Sequence, residues 1–162
     1  MGFITVSAIQ QWQVSDGTVG FFTFALLLGQ GGGNLLAGGL ADRVGHKLSL
    51  ELGVAMGAMG FLLAWLAPNP NWYYAVFFFV GLAVGISIVS GTLISMEFST
   101  PERRPTYMGT ANTVVGIGSV IAPLVGGLLA IYGYTWTFAA SVMVSLIGLA
   151  LMHWTVREPR WQ

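Results

Sequence analysis

The sequence predicts an all-α, polytopic membrane helix bundle. Hydrophobic residues make up 55% of the 162 residues and charged residues only 7%. A water-soluble domain carries about 25% charged residues, so this shortage indicates that much of the surface faces lipid. Glycine is frequent as well, with 23 residues, and small residues allow helices to pack very closely inside a bilayer.

The same composition excludes several classes of function. Six Lys and Arg residues balance six Asp and Glu residues, so no basic surface is available for nucleic acid. Cysteine is absent, which removes disulfides, thiolate metal sites and thiol catalysis. The two histidines are far apart in the sequence. We therefore expect no metal site and no cofactor.

Five segments are long and apolar enough to cross a bilayer, which takes about 20 residues of helix. Charged or proline-containing connections separate them, and we expect a single transmembrane domain over residues 1–162. Residues 1–12 are partly apolar but too short to cross, and they lack the basic start of a signal peptide, so we predict a partial helix. The predicted spans are 18–40, 48–66, 72–98, 107–131 and 136–156.

The charges predict the orientation of the spans. All six basic residues fall on one side of the five-span topology, and positively charged loops are retained in the cytoplasm. We expect these loops and the C-terminus to be cytoplasmic, in a plasma (inner) membrane, with an aromatic belt at the opposite helix ends. The basic residues are Arg43, Lys47, Arg103, Arg104, Arg157 and Arg160, and the belt residues are Trp12, Trp65, Trp72, Tyr73, Tyr74, Tyr132, Tyr134 and Trp136.

The first connection reads Gly38-Gly39-Leu40-Ala41-Asp42-Arg43-Val44-Gly45-His46-Lys47. It resembles the Gly-x-Leu-Ala-Asp-Arg-x-Gly-Arg-Arg/Lys loop of the major facilitator superfamily of secondary transporters, with His46 in place of the usual first Arg. Three later segments are similar to that family: the acidic helix end and Pro-Glu-x-x-Arg loop at 97–105, the Gly- and Pro-rich helix at 116–127, and the basic tail at 156–160. Ala122 stands where an antiporter signature has Gly.

This resemblance implies a place in the family fold. The region from Phe77 to Gly81 lacks the Arg that the matching helix of a first half usually carries. The chain therefore resembles a second half, with helices eight to twelve and the outer end of helix seven, and an N-terminal half would be its partner. The resemblance also implies a cytoplasmic gate, whose motif residues are Gly38, Asp42, Arg43, Gly45, Lys47, Glu97 and Arg103. Glu51 is a further candidate, whereas His153 is expected to be an ordinary interfacial residue.

Polar residues inside the spans are candidates for a substrate cavity, because a polar group in lipid needs a partner. Gln30 and Asn34 share a face of the first span, and Ser87 and Ser90 share a flank of the third. Asn112 belongs to a stripe of small residues in the fourth span, where Pro123 is expected to bend the helix. Helix packing alone is the alternative explanation for each of these residues.

The leading functional hypothesis is transport of a small solute through the bilayer by alternating access. An accessory or assembly subunit, which would use the glycine stripes only for association, is the alternative. An enzyme is not expected, because the sequence has no paired carboxylates, His cluster or Ser/His/Asp set at the membrane surface. No acidic residue lies at mid-membrane depth, so a coupling proton would involve Glu51, Glu97 or the other half.

Overall fold

The computed structural model describes residues 2–157, and the regular elements in that range are helices. Met1 and the tail residues 158–162, which include Arg160, lie outside the described residues. Helices α2 to α6 are long and apolar enough to cross a membrane, which confirms the predicted membrane helix bundle. The helices are α1 (Gly2–Trp12), α2 (Asp16–Val44), α3 (His46–Leu66), α4 (Trp72–Glu97), α5 (Arg104–Ile131) and α6 (Tyr134–Thr155), with a short 3-10 helix at Pro101–Arg103.

The connection between α2 and α3 is tighter than the sequence suggests. Helix α2 continues to Val44 and α3 starts at His46, so only Gly45 lies between them. Its φ of 95° is a conformation that side-chain-bearing residues rarely adopt. The N–H of Gly45 donates to the carbonyl of Ala41 at 3.0 Å and closes the last turn of α2. A glycine at this position is therefore a requirement of the backbone.

Helices α2 and α4 pack backbone against backbone. On α2, Gly29 and Gly33 are both buried and face the main chain of α4. A Cβ at Gly29 would overlap the carbonyl oxygen of Phe78, and one at Gly33 would overlap the carbonyl oxygen of Leu82. The GxxxG spacing on α2 therefore brings the two helices as close as their backbones permit.

Helix α4 contributes glycines to this contact in the same way. Gly81 and Gly85 of α4 are buried, and a Cβ at either position would overlap a carbonyl oxygen of α2, that of Leu26 or that of Gln30. The contact is therefore reciprocal, with two glycines from each helix. Such an approach maximises van der Waals contact where lipid removes the hydrophobic driving force between helices.

Helix α3 packs on another side of α4, with glycines of α3 against side chains of α4. A Cβ at Gly53 would come within 2.9 Å of the Ile86 side chain, and one at Gly60 within 2.7 Å of the Val80 side chain. Near the aromatic helix ends, Phe22 of α2 stacks on Phe77 of α4 with ring centroids 5.3 Å apart. Helix α4 thus occupies the centre of the bundle, between α2 and α3.

The short helix α1 and the long helix α5 complete the bundle. Ser7 of α1 is fully buried, and its hydroxyl lies 3.0 Å from the hydroxyl of Tyr73 on α4. Helix α5 is peripheral, since Gly126, against the ring of Phe3, is its one buried residue in the described range. Pro123 lies inside α5 without interrupting the helix. Most of the α5 surface is thus free to meet lipid or another helix.

From the glycine contact between α2 and α4 we predict an effect on the stability of the protein. Replacing Gly33→Ala places a methyl group against the backbone of Leu82, which cannot rotate away, so we expect the free energy of unfolding to fall by about 2 kcal/mol. Replacing Gly31→Ala on the same helix meets open space and is the matched control. Denaturant titration in detergent micelles measures both, and equal stability of the two variants would contradict the proposed contact.

Candidate functional site

A cavity of about 650 Å³ lies between α3, α4 and α5. Its wall is mostly apolar, and it includes Phe61 of α3, Val84 of α4 and Val115 of α5. The polar side chains in the wall are Ser87, Thr92, Ser95 and Asn112. Two of the five predicted cavity residues, Ser87 of α4 and Asn112 of α5, are therefore brought together in one cavity, although 25 residues separate them in the sequence.

The four polar residues of this cavity differ in their hydrogen bonds. Thr92 donates to the carbonyl of Ile88 at 3.0 Å, and Ser95 donates to the carbonyl of Gly91 at 2.9 Å. Such bonds within a helix satisfy a hydroxyl in lipid. Within residues 2–157, no hydrogen bond engages the side chain of Ser87 or Asn112. These two are the groups that a bound molecule or water can reach.

The other predicted cavity residues lie elsewhere. Gln30 is half-buried and Asn34 exposed on α2, and neither contributes to this cavity. Ser90 is fully buried, and its hydroxyl donates to the hydroxyl of Ser49 on α3 at 2.9 Å. Three residues of helix rotate the side chain by about 60° from Ser87. That rotation moves Ser90 from the cavity into the α3–α4 interface.

Charged residues gather where α2, α4 and α6 end and α3 begins, and we call this the basic end of the bundle. Glu97 at the end of α4 lies 3.8 Å from the Nε2 of His46 at the start of α3. Glu51, one turn further along α3, lies 3.5 Å from the Nζ of Lys47 and 3.3 Å from the Nδ1 of His153 on α6. The basic end therefore connects α3 to both α4 and α6.

Besides its contact with Glu51 on the same helix, Lys47 contacts α6, because its Nζ donates to the main-chain carbonyl of His153 at 3.0 Å. A cation at this position complements the negative end of the α6 dipole. Glu51 is itself buried, at 8% exposed, and a buried carboxylate needs cationic or hydrogen-bonding partners. Lys47 supplies a nearby cation, and the imidazole of His153 supplies a nearby nitrogen.

The predicted gate residues divide into two groups at this end. Glu97 and Lys47 belong to the contacts just described, whereas Asp42, Arg43 and Arg103 are exposed. In the described part of the chain these three side chains form no salt bridge within 4.0 Å. Gly38 is half-buried within α2, and a Cβ there would meet open space. The motif glycine that the fold requires is thus Gly45.

Sequence reasoning missed the pairing of His153 with Glu51, because 102 residues separate them. A local signal did exist for one of the partners, since Lys47 and Glu51 are spaced i, i+4 and share a helix face. Among the described residues, no group of three His, Asp or Glu side chains could hold a metal ion. The two His–Glu contacts at the basic end join helices and become ion pairs when the histidine is protonated.

Pro123 lines a second cavity, of about 640 Å³, between α1, α5 and α6. Proline has no N–H, so the carbonyl one turn before it loses its hydrogen bond within the helix. The neighbouring Ala122 and Gly126 line the same cavity, so small side chains and the missing bond coincide there. The bend expected at Pro123 remains a prediction.

Comparison with known proteins adds independent information. The family model of the Major Facilitator Superfamily matches residues 1–162. The 4-hydroxybenzoate transporter PcaK of Pseudomonas putida is 31% identical over 99% of this chain and 36% of its own length. The niacin transporter NiaP of Acinetobacter baylyi is 28% identical over 83% of this chain and 34% of its own. The methylenomycin A resistance protein of Streptomyces coelicolor is 31% identical over 86% of this chain and 28% of its own.

These matches agree with the bundle of apolar helices and with the motif around Gly45. The chain spans about a third of the length of the curated relatives that it matches. The family match, by contrast, extends over all of its residues. The chain therefore belongs to the Major Facilitator Superfamily.

Proposed function

We propose that this chain forms part of a transporter that moves a small organic solute by alternating access, with a complementary half supplying the rest of the solute path. The observation that supports this most directly is the cavity between α3, α4 and α5, where Ser87 and Asn112 lie in an apolar wall. An amide or hydroxyl in such a wall costs free energy unless it finds a hydrogen-bond partner. A solute, or the water that it replaces, supplies that partner.

The named relatives suggest which solutes to test first. Their names specify niacin and 4-hydroxybenzoate, and a further relative is a gallate transporter of Pseudomonas putida, 27% identical over 98% of this chain. All three compounds are small aromatic acids. We propose that the apolar wall takes the flat ring of such a solute and that Asn112 and Ser87 bond its polar substituents. No covalent step is needed, so the chain acts as a carrier.

Alternating access also needs a rigid unit and a gate. The glycine contact between α2 and α4 makes these helices suited to move as one body. We propose that the basic end faces the cytoplasm of a plasma membrane, in accordance with the positive-inside rule. There Asp42 and Arg43, which are exposed, are available to pair with the complementary half in the outward-facing state. A solute shifts this equilibrium only through its different affinities for the two states.

A small set of acidic groups is available to carry a coupling ion, if the transporter uses one. The acidic residues of the chain are Asp16, Asp42, Glu51, Glu97, Glu102 and Glu158, and none of them occupies the central turns of a span. A coupled proton would therefore be carried by Glu51 or Glu97 at the basic end, or by the complementary half. Facilitated transport without an ion requires neither.

A second candidate function is that of an accessory membrane subunit, and the surface of α5 favours it. Gly109 and Gly116 share a face of α5, a Cβ at either position would meet nothing within 4 Å, and large apolar side chains beside them are exposed. A helix face of this kind suits association with another membrane protein. Under this alternative, substitutions in the cavity leave solute flux unchanged.

The cavity makes a prediction for transport. With the native gene product that contains this chain reconstituted in proteoliposomes, we expect Asn112→Ala to lower uptake of labelled 4-hydroxybenzoate or nicotinate about tenfold. That loss corresponds to one hydrogen bond of about 1.4 kcal/mol. The control is Thr113→Ala, because Thr113 donates to the carbonyl of Gly109 at 2.8 Å and lies outside the cavity lining. Equal uptake by both variants would refute the role of Asn112.

The gate makes a separate prediction. Replacing Asp42→Asn or Arg43→Gln removes a charge from the exposed end of α2, and we expect flux to fall about tenfold because the closed state loses stability. Arg104→Gln, an exposed position on the same side of the membrane, should leave flux unchanged. Membrane abundance is measured in parallel by quantitative immunoblotting. A fall in abundance that matches the fall in flux would make these residues structural.

A further inference from the structure

Both histidines of the chain lie at the basic end, although 107 residues separate them in a chain that has no others. Each faces a glutamate on a different helix: His46 of α3 lies 3.8 Å from Glu97 of α4, and His153 of α6 lies 3.3 Å from Glu51 of α3. We refer to these four residues as the clasp. It fixes the first turns of α3 between the ends of α4 and α6.

We propose that the clasp is a proton-operated lock that holds α3 against α4 and α6 when its histidines are protonated. A histidine forms an ion pair with a carboxylate only in its charged state, and its charge ordinarily changes between about pH 5 and 8. An Arg at either position would make the same contact permanent. The two histidines make both contacts conditional on proton concentration. This regulation is independent of which solute is carried.

The direction of the effect follows from the charges. When both imidazoles are protonated they are cations, so both pairs attract and α3 is held against α4 and α6. Deprotonation of the imidazoles removes the attraction on the α4 side of α3 and weakens it on the α6 side, where Lys47 remains in contact with Glu51. His46 is buried and Glu97 is 25% exposed, whereas the His153 side chain is 64% exposed, so water screens the α3–α4 contact less than the α3–α6 contact. The lock therefore weakens on the alkaline side.

Lys47 is a further charged group in direct contact with the clasp. Its Nζ lies 3.5 Å from Glu51 and donates to the carbonyl of His153, so the α6 side of the clasp keeps part of its attraction when His153 is neutral. The remaining charged side chains at this end, on α2, on the α4–α5 connection and after α6, are exposed. They are Asp42, Arg43, Glu102, Arg103, Arg104 and Arg157, and side chains of these types ordinarily keep their charge across this range.

The test measures the separation of the helix ends directly. Because the chain has no cysteine, pairs of cysteines can be introduced and spin-labelled in the full chain reconstituted in liposomes. Leu48→Cys with Phe98→Cys reports on α3 and α4, and Leu48→Cys with Trp154→Cys reports on α3 and α6; all three positions are exposed. Leu66→Cys with Trp136→Cys, exposed at the opposite ends of α3 and α6, is the control.

We expect the spin–spin coupling of both pairs at the basic end to weaken as the pH rises between about 5 and 8, while the control pair stays constant. His46→Arg should abolish the pH response of the α3–α4 pair and leave that of the α3–α6 pair. His153→Arg should do the reverse. Each pair thus serves as an internal control for the other, and solute flux plays no part in the readout.

Neutral substitutions complete the test. With His46→Gln or His153→Gln, the corresponding pair should show the weak coupling of the alkaline state at every pH. Should a Gln variant fail to insert, the Arg variants still decide the matter, because they keep the charge. The proposal is overturned by an unchanged coupling in the wild-type chain across the range, or by a pH response that persists in the double variant His46→Arg with His153→Arg.

Discussion

The close crossing of α2 and α4 is the contact on which the rest of the structure depends. In a bilayer, burying apolar side chains against other side chains gains little over burying them in lipid, so helices associate mainly through tight van der Waals contact. Gly29 and Gly33 on one helix and Gly81 and Gly85 on the other remove the side chains that would keep the backbones apart. The position of α4 is fixed by this crossing. Its other sides then define both the contact with α3 and the wall of the larger cavity.

Polar side chains in such a bundle differ mainly in which group is their hydrogen-bond partner. Eight of the sixteen Ser and Thr hydroxyls in α2 to α6 donate to a carbonyl one turn earlier in their own helix, so they cost little in lipid and carry no information about a site. Ser90 and Ser49 instead bond each other between two helices. Ser87 and Asn112 belong to neither class and face a common cavity. The residues that bond their own helix are Thr23, Thr92, Ser95, Thr110, Thr113, Ser119, Ser141 and Thr155.

Apart from Asp16 at the start of α2, the charged side chains of residues 2–157 lie at one end of the bundle, where water is near. Two kinds of charged group are found there. Asp42 and Arg43 are exposed and available to another surface, whereas Glu51 and His46 are buried and join helices within this chain. The same short stretch of sequence thus carries exposed charges beside buried residues that join helices. The change of chain direction at Gly45 separates the two.

The sequence by itself determined the membrane class, the number of spans and the single basic end, and its many glycines indicated that helices pack closely. Each of these depends on local composition or on the period of one helix. Only the tertiary structure decided that Ser87 lines the cavity while Ser90 lies in an interface, and that His153 pairs with Glu51. The helical period assigns a residue to a face, but the neighbour that covers this face is chosen by packing between segments far apart in the chain. Contacts across 102 residues of sequence are set by that packing.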